Sequence, residues 1–101
     1  MIETLGMLVT TDRHLGYVLG LTDAALTRKK KIEIFFSGKG VLLTRHPDFE
    51  KLVGKARLSV CDISFRSLGL SEPVPGVGFN DFVTQTRNAE MIEKCDRYIV
   101  L

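Results

Sequence analysis

The feature that most constrains the fold of this chain is an alternation between short apolar runs and longer segments of helical period. Residues 5–10 form the first run, which is nearly continuous in apolar side chains, as in a strand covered by helices on both faces. Thr11 or Asp12 can cap a helix that then extends to about Arg28. The inward-facing positions of this helix recur every three or four residues, at Leu15, Val18, Leu19, Thr22, Ala25 and Leu26. A strand followed by a helix of this kind is the repeating unit of a parallel sheet.

The rest of the chain continues the alternation. Further strands are predicted at residues 32–37, 58–61, 77–79 and 97–101, and further helices at 48–55, at 62–68 and from Asn80 or Asp81 onward. A turn is expected at residues 38–40 and a loop at 71–76, where glycine and proline concentrate. The sequence therefore predicts five short strands that alternate with helices.

These elements predict a single α/β domain that spans residues 1–101. We expect a small, doubly wound, mainly parallel sheet of five strands with helices on both faces, in the flavodoxin-like order 2-1-3-4-5. In such sheets ligands bind outside the carboxyl ends of the strands, and this order puts the binding crevice between strands one and three. The location of a binding site is thus predicted before the chemistry of any residue is considered.

Composition excludes several classes of function. The net charge of +2 lacks the basic excess of a nucleic-acid-binding domain, and no window approaches the ~20 apolar residues of a membrane span. Two cysteines are too few for a disulfide framework or a four-thiolate zinc site. Because nucleotide-binding glycine motifs and metal-ligand spacings are also missing, we expect no metal and no cofactor. We expect the chain to be cytoplasmic, with reduced thiols.

Cys61 is the residue with the clearest chemical potential. It lies where the third strand meets the third helix, and backbone N–H groups at a helix N-terminus favour a thiolate and lower its pKa. The neighbouring carboxylate of Asp62 opposes a second negative charge. The alternative is that Cys61 is a small buried side chain at a strand end, since free cysteine is among the most buried residue types.

Cys95 is expected to have a structural role. It comes just before the last strand, at the amino edge of the sheet, whereas Cys61 lies at the carboxyl edge. In the predicted order one strand separates them, about 9.6 Å across the sheet and a strand length along it. Disulfide geometry requires Cα atoms within about 7 Å, so no bond between the two cysteines is expected.

Other candidate binding residues lie in loops at the same predicted edge. Asp12 and His14 follow the first strand, and His14 could donate a proton or act as a cation near Cys61. Lys39, followed by Gly40, could present an ammonium and backbone amides to an anion. A solvated loop histidine and a tight turn with an exposed lysine are the alternatives.

The segment around Cys61 resembles the cysteine segment of the DsrE/TusD-type sulfur-relay family. In that family a strand ends in Val-Cys, and an arginine and a glycine follow in the next helix, as Val60, Cys61, Arg66 and Gly69 do here. The resemblance covers nearly the whole chain, and it extends to residues 8–12, 24–26, 34–41 and 96–100.

The resemblance implies a compact α/β fold that assembles into trimers or hexamers. It also implies that Cys61 accepts sulfane sulfur as a persulfide, with Arg66 among the supporting residues, and passes that sulfur to a partner protein. The first hypothesis is therefore a cytoplasmic sulfurtransferase-like persulfide carrier that works with sulfur-donor and sulfur-acceptor proteins.

Two alternatives remain open. One is a non-catalytic oligomeric module in which the loops around His14, Lys39 and Cys61 bind an anionic ligand or a partner protein while Cys61 merely packs. The other is a peroxide-reducing thiol enzyme, which would need an external reductant because no second cysteine lies at the same predicted edge.

Overall fold

The structure is a computed structural model that describes residues 3–101. In this part of the chain five strands form a single sheet: β1 (Thr4–Val9), β2 (Lys31–Phe36), β3 (Arg57–Cys61), β4 (Phe82–Val83) and β5 (Arg97–Val100). Three α-helices accompany them: α1 (Leu15–Thr27), α2 (Asp62–Ser67) and α3 (Thr86–Lys94). Three 3₁₀ helices lie at Gly38–Arg45, Pro47–Leu52 and Phe79–Asp81. The predicted α/β class is confirmed.

All strand pairs in the sheet are parallel, and the order is β4-β3-β2-β1-β5. The predicted order 2-1-3-4-5 is therefore wrong. It would have put β2 at an edge, yet Ile34, Phe35 and Phe36 are all buried. Because consecutive apolar side chains point to opposite faces, a strand of this kind belongs inside the sheet. β2 accordingly pairs with β1 on one side and with β3 on the other.

Helices cover both faces of the sheet, as predicted. On one face Leu5, Met7 and Val9 of β1 belong to a core cluster that also takes in Val18 of α1 and Phe65 of α2. The opposite face of the same strand packs on α3. There a Cβ added at Gly6 would lie 3.0 Å from Met91 Cγ and 3.1 Å from Cys95 Sγ. Only a residue without a side chain allows α3 to approach β1 this closely.

Four element predictions are wrong in detail. α1 begins at Leu15, with His14 as its N-cap, and not after Thr11 or Asp12. Residues 38–55 form two 3₁₀ helices instead of a turn and one helix at 48–55, because Pro47 starts a new segment and His46 Nδ1 accepts a hydrogen bond from the Asp48 N–H at 3.0 Å. Val77 pairs with Val74 in an isolated bridge, and the fourth strand lies at Phe82–Val83 instead of residues 77–79. The last helix accordingly starts at Thr86, not at Asn80 or Asp81.

No helix within residues 3–101 has the length and apolar character needed to cross a lipid bilayer.

Gly40 gives a direct test of how the first 3₁₀ helix sits on the sheet. A Cβ at this position would lie 2.1 Å from the carbonyl oxygen of Val9, and main chain cannot move aside cheaply. We expect Gly40→Ala to lower the free energy of unfolding by at least about 1–3 kcal/mol, as measured by urea denaturation.

Gly20→Ala is the matched control, because nothing lies within 4 Å of its added Cβ. In the interior of α1 this change should stabilise the fold by about 0.5–1 kcal/mol. Equal effects of the two substitutions would contradict the packing described here.

Candidate functional site

Cys61 is the last residue of β3, and α2 begins at the next residue. The predicted strand-to-helix junction is therefore confirmed. The side chain points to the α3 face of the sheet, where it joins Phe35 and Met91 in a small cluster. Only 4% of the residue is exposed. Cys61 is thus positioned by an apolar wall on one side and by the start of a helix on the other.

Polar groups from three separate segments surround the sulfur. Burial raises the pKa of the Cys61 thiol. Hydrogen bonding from Ser64, through both its hydroxyl and its backbone N–H, lowers the pKa, as does hydrogen bonding from the side chains of Gln85 and Ser37. The lowering contributions together outweigh burial, so the pKa of Cys61 lies below its ordinary value. Burial among apolar groups alone would raise the pKa of a thiol.

The two serine hydroxyls near the sulfur each accept a hydrogen bond from another group. Ser64 Oγ accepts a hydrogen bond from the Gly38 N–H at 3.0 Å, and Ser37 Oγ accepts one from Gln85 Nε2 at 2.8 Å. Because a hydroxyl has one proton to donate, each serine keeps that proton free for Cys61. The thiol forms no side-chain capping bond of ordinary geometry with α2. The donors matter for the charged form, since hydrogen bonds to an ionised group are the stronger ones.

The topology explains why these groups meet. β2, β3 and β4 are neighbours, and Ser37, Cys61 and Gln85 lie at or just beyond their carboxyl ends. The helix after β3 packs on the α1 face, through Phe65, whereas the helix after β4 packs on the opposite face, through Met91. The chain leaves β3 and β4 toward opposite faces, which is the arrangement that forms ligand crevices in open parallel sheets. The expected crevice between strands one and three does not exist, because β2 lies between them.

Asp62 does not face the thiol as a free negative charge. Its carboxylate pairs with Arg66, at 3.1 Å from Nε, and the same guanidinium also pairs with Glu72. Arg66 lies over the rings of Phe65 and Phe82, with its Cζ 5.3 and 5.5 Å from the ring centroids. These contacts place Arg66 in an exposed surface network on α2. It is not among the groups that shift the pKa of Cys61.

The remaining predicted site residues lie between β1 and α1 and in the 3₁₀ helix that follows β2. Asp12 is exposed, and His14 is partly buried immediately before α1, with its ring 5.6 Å from that of Tyr17. Lys39 is exposed, whereas Gly40 is buried against the backbone of Val9. None of these four contributes to the pKa shift of Cys61. Gly40 has a clear packing role, independent of any ligand.

Sequence reasoning missed Ser37, Ser64 and Gln85. The signal for Ser64 was present, because a residue three positions after a helix N-cap directs its N–H toward the N-cap side chain, and Cys61 holds that N-cap position. Ser37 follows a strand whose carboxyl end lies at the same edge. Gln85 could not be found, because its strand was predicted five residues too early.

Cys95 lies apart from this site. Both cysteines are free, and two strands, β2 and β1, lie between β3 and β5. Cys95 packs against Gly6, which fits the structural role predicted for it. Within residues 3–101, no cluster of three or more histidine, cysteine, aspartate or glutamate side chains is placed to hold a metal ion.

Comparison of the chain with protein-family models, with curated proteins and with solved structures gave no match. What bears on function is therefore the chemistry of Cys61 and its donors.

The role of the donors can be tested by alkylating Cys61 with iodoacetamide across a pH series in a Cys95→Ser background. The half-point of the rate should lie below the ordinary thiol value of ~8.5. Ser64→Ala removes one hydroxyl donor and should move the half-point upward, because the thiolate loses a hydrogen bond and the thiol does not.

Ser67→Ala is the matched control, since Ser67 lies on the same helix and its hydroxyl bonds only the Ser64 carbonyl. It should leave the half-point unchanged. If Ser64→Ala and Ser67→Ala had the same profile as the parent chain, Ser64 would have no part in stabilising the thiolate.

Proposed function

We propose that this chain is a sulfur-relay protein of the DsrE/TusD type, which accepts sulfane sulfur as a persulfide on Cys61 and passes it to a partner protein. One observation carries the proposal: the pKa of Cys61 is lowered although the residue is buried. A structural cysteine has no need of three polar side chains around its sulfur. A nucleophilic cysteine does, because the thiolate is the reactive form.

The proposed transfer is a balanced exchange at sulfur. The Cys61 thiolate attacks the terminal sulfur of a donor persulfide. The new S–S bond forms on Cys61 as the donor's S–S bond breaks, and the donor leaves as a thiolate that takes up a proton. In the second step an acceptor thiolate attacks the outer sulfur, and Cys61 leaves as the thiolate. No external oxidant or reductant is consumed, and a leaving thiol of low pKa departs faster. The same donors at Ser37 and Ser64 therefore favour both steps.

Access to the sulfur requires a local movement. Cys61 is only 4% exposed, and Gln85, which hydrogen bonds toward it, is itself exposed. The Gln85 amide is held to Ser37 by one hydrogen bond, which contributes about 0.5–1.5 kcal/mol net. We therefore expect opening at Gln85 to be thermally accessible and to expose the sulfur at the carboxyl ends of β3 and β4.

Other chains supply the donor and the acceptor in this proposal. A domain of 101 residues with one thiol at the crevice has no second cysteine there to complete an internal transfer. We place the protein in the cytoplasm, where thiols stay reduced, and expect the homo-oligomer, a trimer or hexamer, that the family resemblance implies.

The burial of Cys61 favours a second function. If the sulfur never becomes accessible, the chain is a non-catalytic oligomeric module that binds an anionic ligand or a partner protein through the loops around His14 and Lys39. Binding would then be the same in Cys61→Ser, and alkylation of Cys61 would be slow at every pH.

The relay is tested by incubating the chain with glutathione persulfide and measuring its intact mass. The parent chain should gain one sulfur, about 32 Da, that a reductant removes. Cys61→Ser in a Cys95→Ser background, which removes the partly exposed second thiol, should gain none. Cys95→Ser should gain the same sulfur as the parent, because Cys95 lies outside the crevice.

A second step separates relay from simple modification. The loaded chain, freed of excess donor, should return to its original mass when it is mixed with a low-molecular-weight thiol, and the sulfur should appear on that thiol. The absence of any adduct on Cys61, or an equal adduct on Cys61→Ser, would refute the relay.

A further inference from the structure

A second surface feature lies at the opposite edge of the sheet, on the face covered by α1. There a groove of about 330 Å³ runs between α1 and the edge strand β5. The groove arises from the topology, because β5 lies beyond β1 at the end of the sheet and α1 packs mainly on β2 and the second 3₁₀ helix. The α1-facing side of β5 is thus left partly uncovered.

The walls of this groove are apolar. Register pairs Leu5 with Arg97 and Met7 with Ile99, so Arg97 and Ile99 point to the same face as the buried side chains of β1. Leu5 and Ile99 form the floor, and Leu21 and Ala25 of α1 form the wall. Each methylene group placed against such a surface leaves water and gains about 0.8 kcal/mol.

The mouth of the groove is basic. Arg28, Lys30 and Arg97 line it together with one carboxylate, that of Glu3. Lys30 pairs with Glu3, whereas none of the ion pairs described for residues 3–101 involves Arg28 or Arg97. Two guanidinium groups therefore stand without a protein counter-ion beside an apolar groove. The carboxyl end of α1 adds about half a negative charge, which these cations outweigh.

We propose that this groove binds a free, unbranched monocarboxylate of medium chain length, with the alkyl chain against Leu5, Leu21 and Ile99 and the carboxylate at Arg28 and Arg97. The volume supports a small molecule, since it lies at the lower end of the range for small-molecule sites. A protein partner would need about 20–30 residues on each side, far more than this groove can contact. Guanidinium groups suit a carboxylate because their donors match its two oxygens.

The proposal makes a quantitative prediction for a series of ligands. Titration of the full chain with hexanoate, octanoate and decanoate, below their micelle-forming concentrations, is followed by amide shifts of Leu21, Ala25 and Ile99. Affinity should rise about fourfold for each added methylene until the groove is full. Octylamine, with the same tail and a positive head, should bind at least tenfold more weakly than octanoate, because it meets Arg28 and Arg97 as a like charge.

Variants locate the site. Ala24 is exposed on α1 and lines the groove, so Ala24→Phe should fill it and abolish saturable binding of octanoate. Ala89→Phe is the matched control, because Ala89 is exposed on α3, at the other face of the sheet. Arg28→Gln and Arg97→Gln should each weaken octanoate binding about two- to fivefold, as expected for partly exposed ion pairs.

Three results would overturn the proposal: no saturable shifts at the groove with any of the carboxylates, equal binding of octylamine and octanoate, or self-association of the parent chain that Ala24→Phe abolishes. The last would mean that a second copy of the chain occupies the groove. Since Cys61 plays no part in the groove, octanoate binding should be unchanged in Cys61→Ser, and loss of persulfide formation would leave this proposal standing.

Discussion

The parallel pairing of the strands is the constraint on which the rest of this structure depends. Parallel neighbours cannot be joined by a tight turn, so each connection must cross a face of the sheet. The connections from β1 to β4 all advance toward one edge, with α1, the first two 3₁₀ helices and α2 on one face. The last connection returns over the other face through α3 to reach β5. The connections that follow β3 and β4 therefore lie on opposite faces, and Cys61 lies at the carboxyl end of β3, beside this change of face.

The reactivity proposed for Cys61 comes from a balance between burial and hydrogen bonding. Burial disfavours the thiolate, whereas each hydrogen bond to a charged group contributes about 1.5–3 kcal/mol. Ser37 and Ser64 are each held by one further hydrogen bond, from Gln85 and from the Gly38 N–H, which leaves their hydroxyl protons available when the charge forms. All these donors are neutral. The crevice therefore stabilises an anion on sulfur without a cation that would have to be displaced when a negatively charged persulfide approaches.

The sequence was sufficient where a local pattern decides the structure. β1, β2, β3 and β5 were predicted within about one residue at either end because their apolar runs are distinct. The regular inward positions of α1 identified that helix and its end, but its start was predicted two or three residues too early. β4 was misplaced because two residues carry no periodicity. The strand order depends on which strands become neighbours, and this is not a local property. The run Ile34, Phe35 and Phe36 does indicate an inner strand, because consecutive apolar side chains need cover on both faces of the sheet.

The candidate site was predictable to the same extent. Cys61 could be placed at a strand-to-helix junction because β3 and α2 are contiguous in sequence. Its donors could not, since Ser37 and Gln85 come from segments that meet only when β2, β3 and β4 are neighbours. The predicted order would have put β1 between β2 and β3, which separates Ser37 from Cys61. The groups that surround Cys61 can therefore be identified only when the strand order is known.

The most direct measurement of the central claim is an equilibrium titration of the Cys61 thiol by NMR, using the ¹³Cβ shift of cysteine labelled in a Cys95→Ser chain. This observable reports the charge on sulfur and does not depend on how easily a reagent reaches it. The account predicts a midpoint clearly below the value of ~8.5 for an unperturbed cysteine. A midpoint at or above that value would show that burial dominates, and Cys61 would then be a packing residue and not a sulfur carrier.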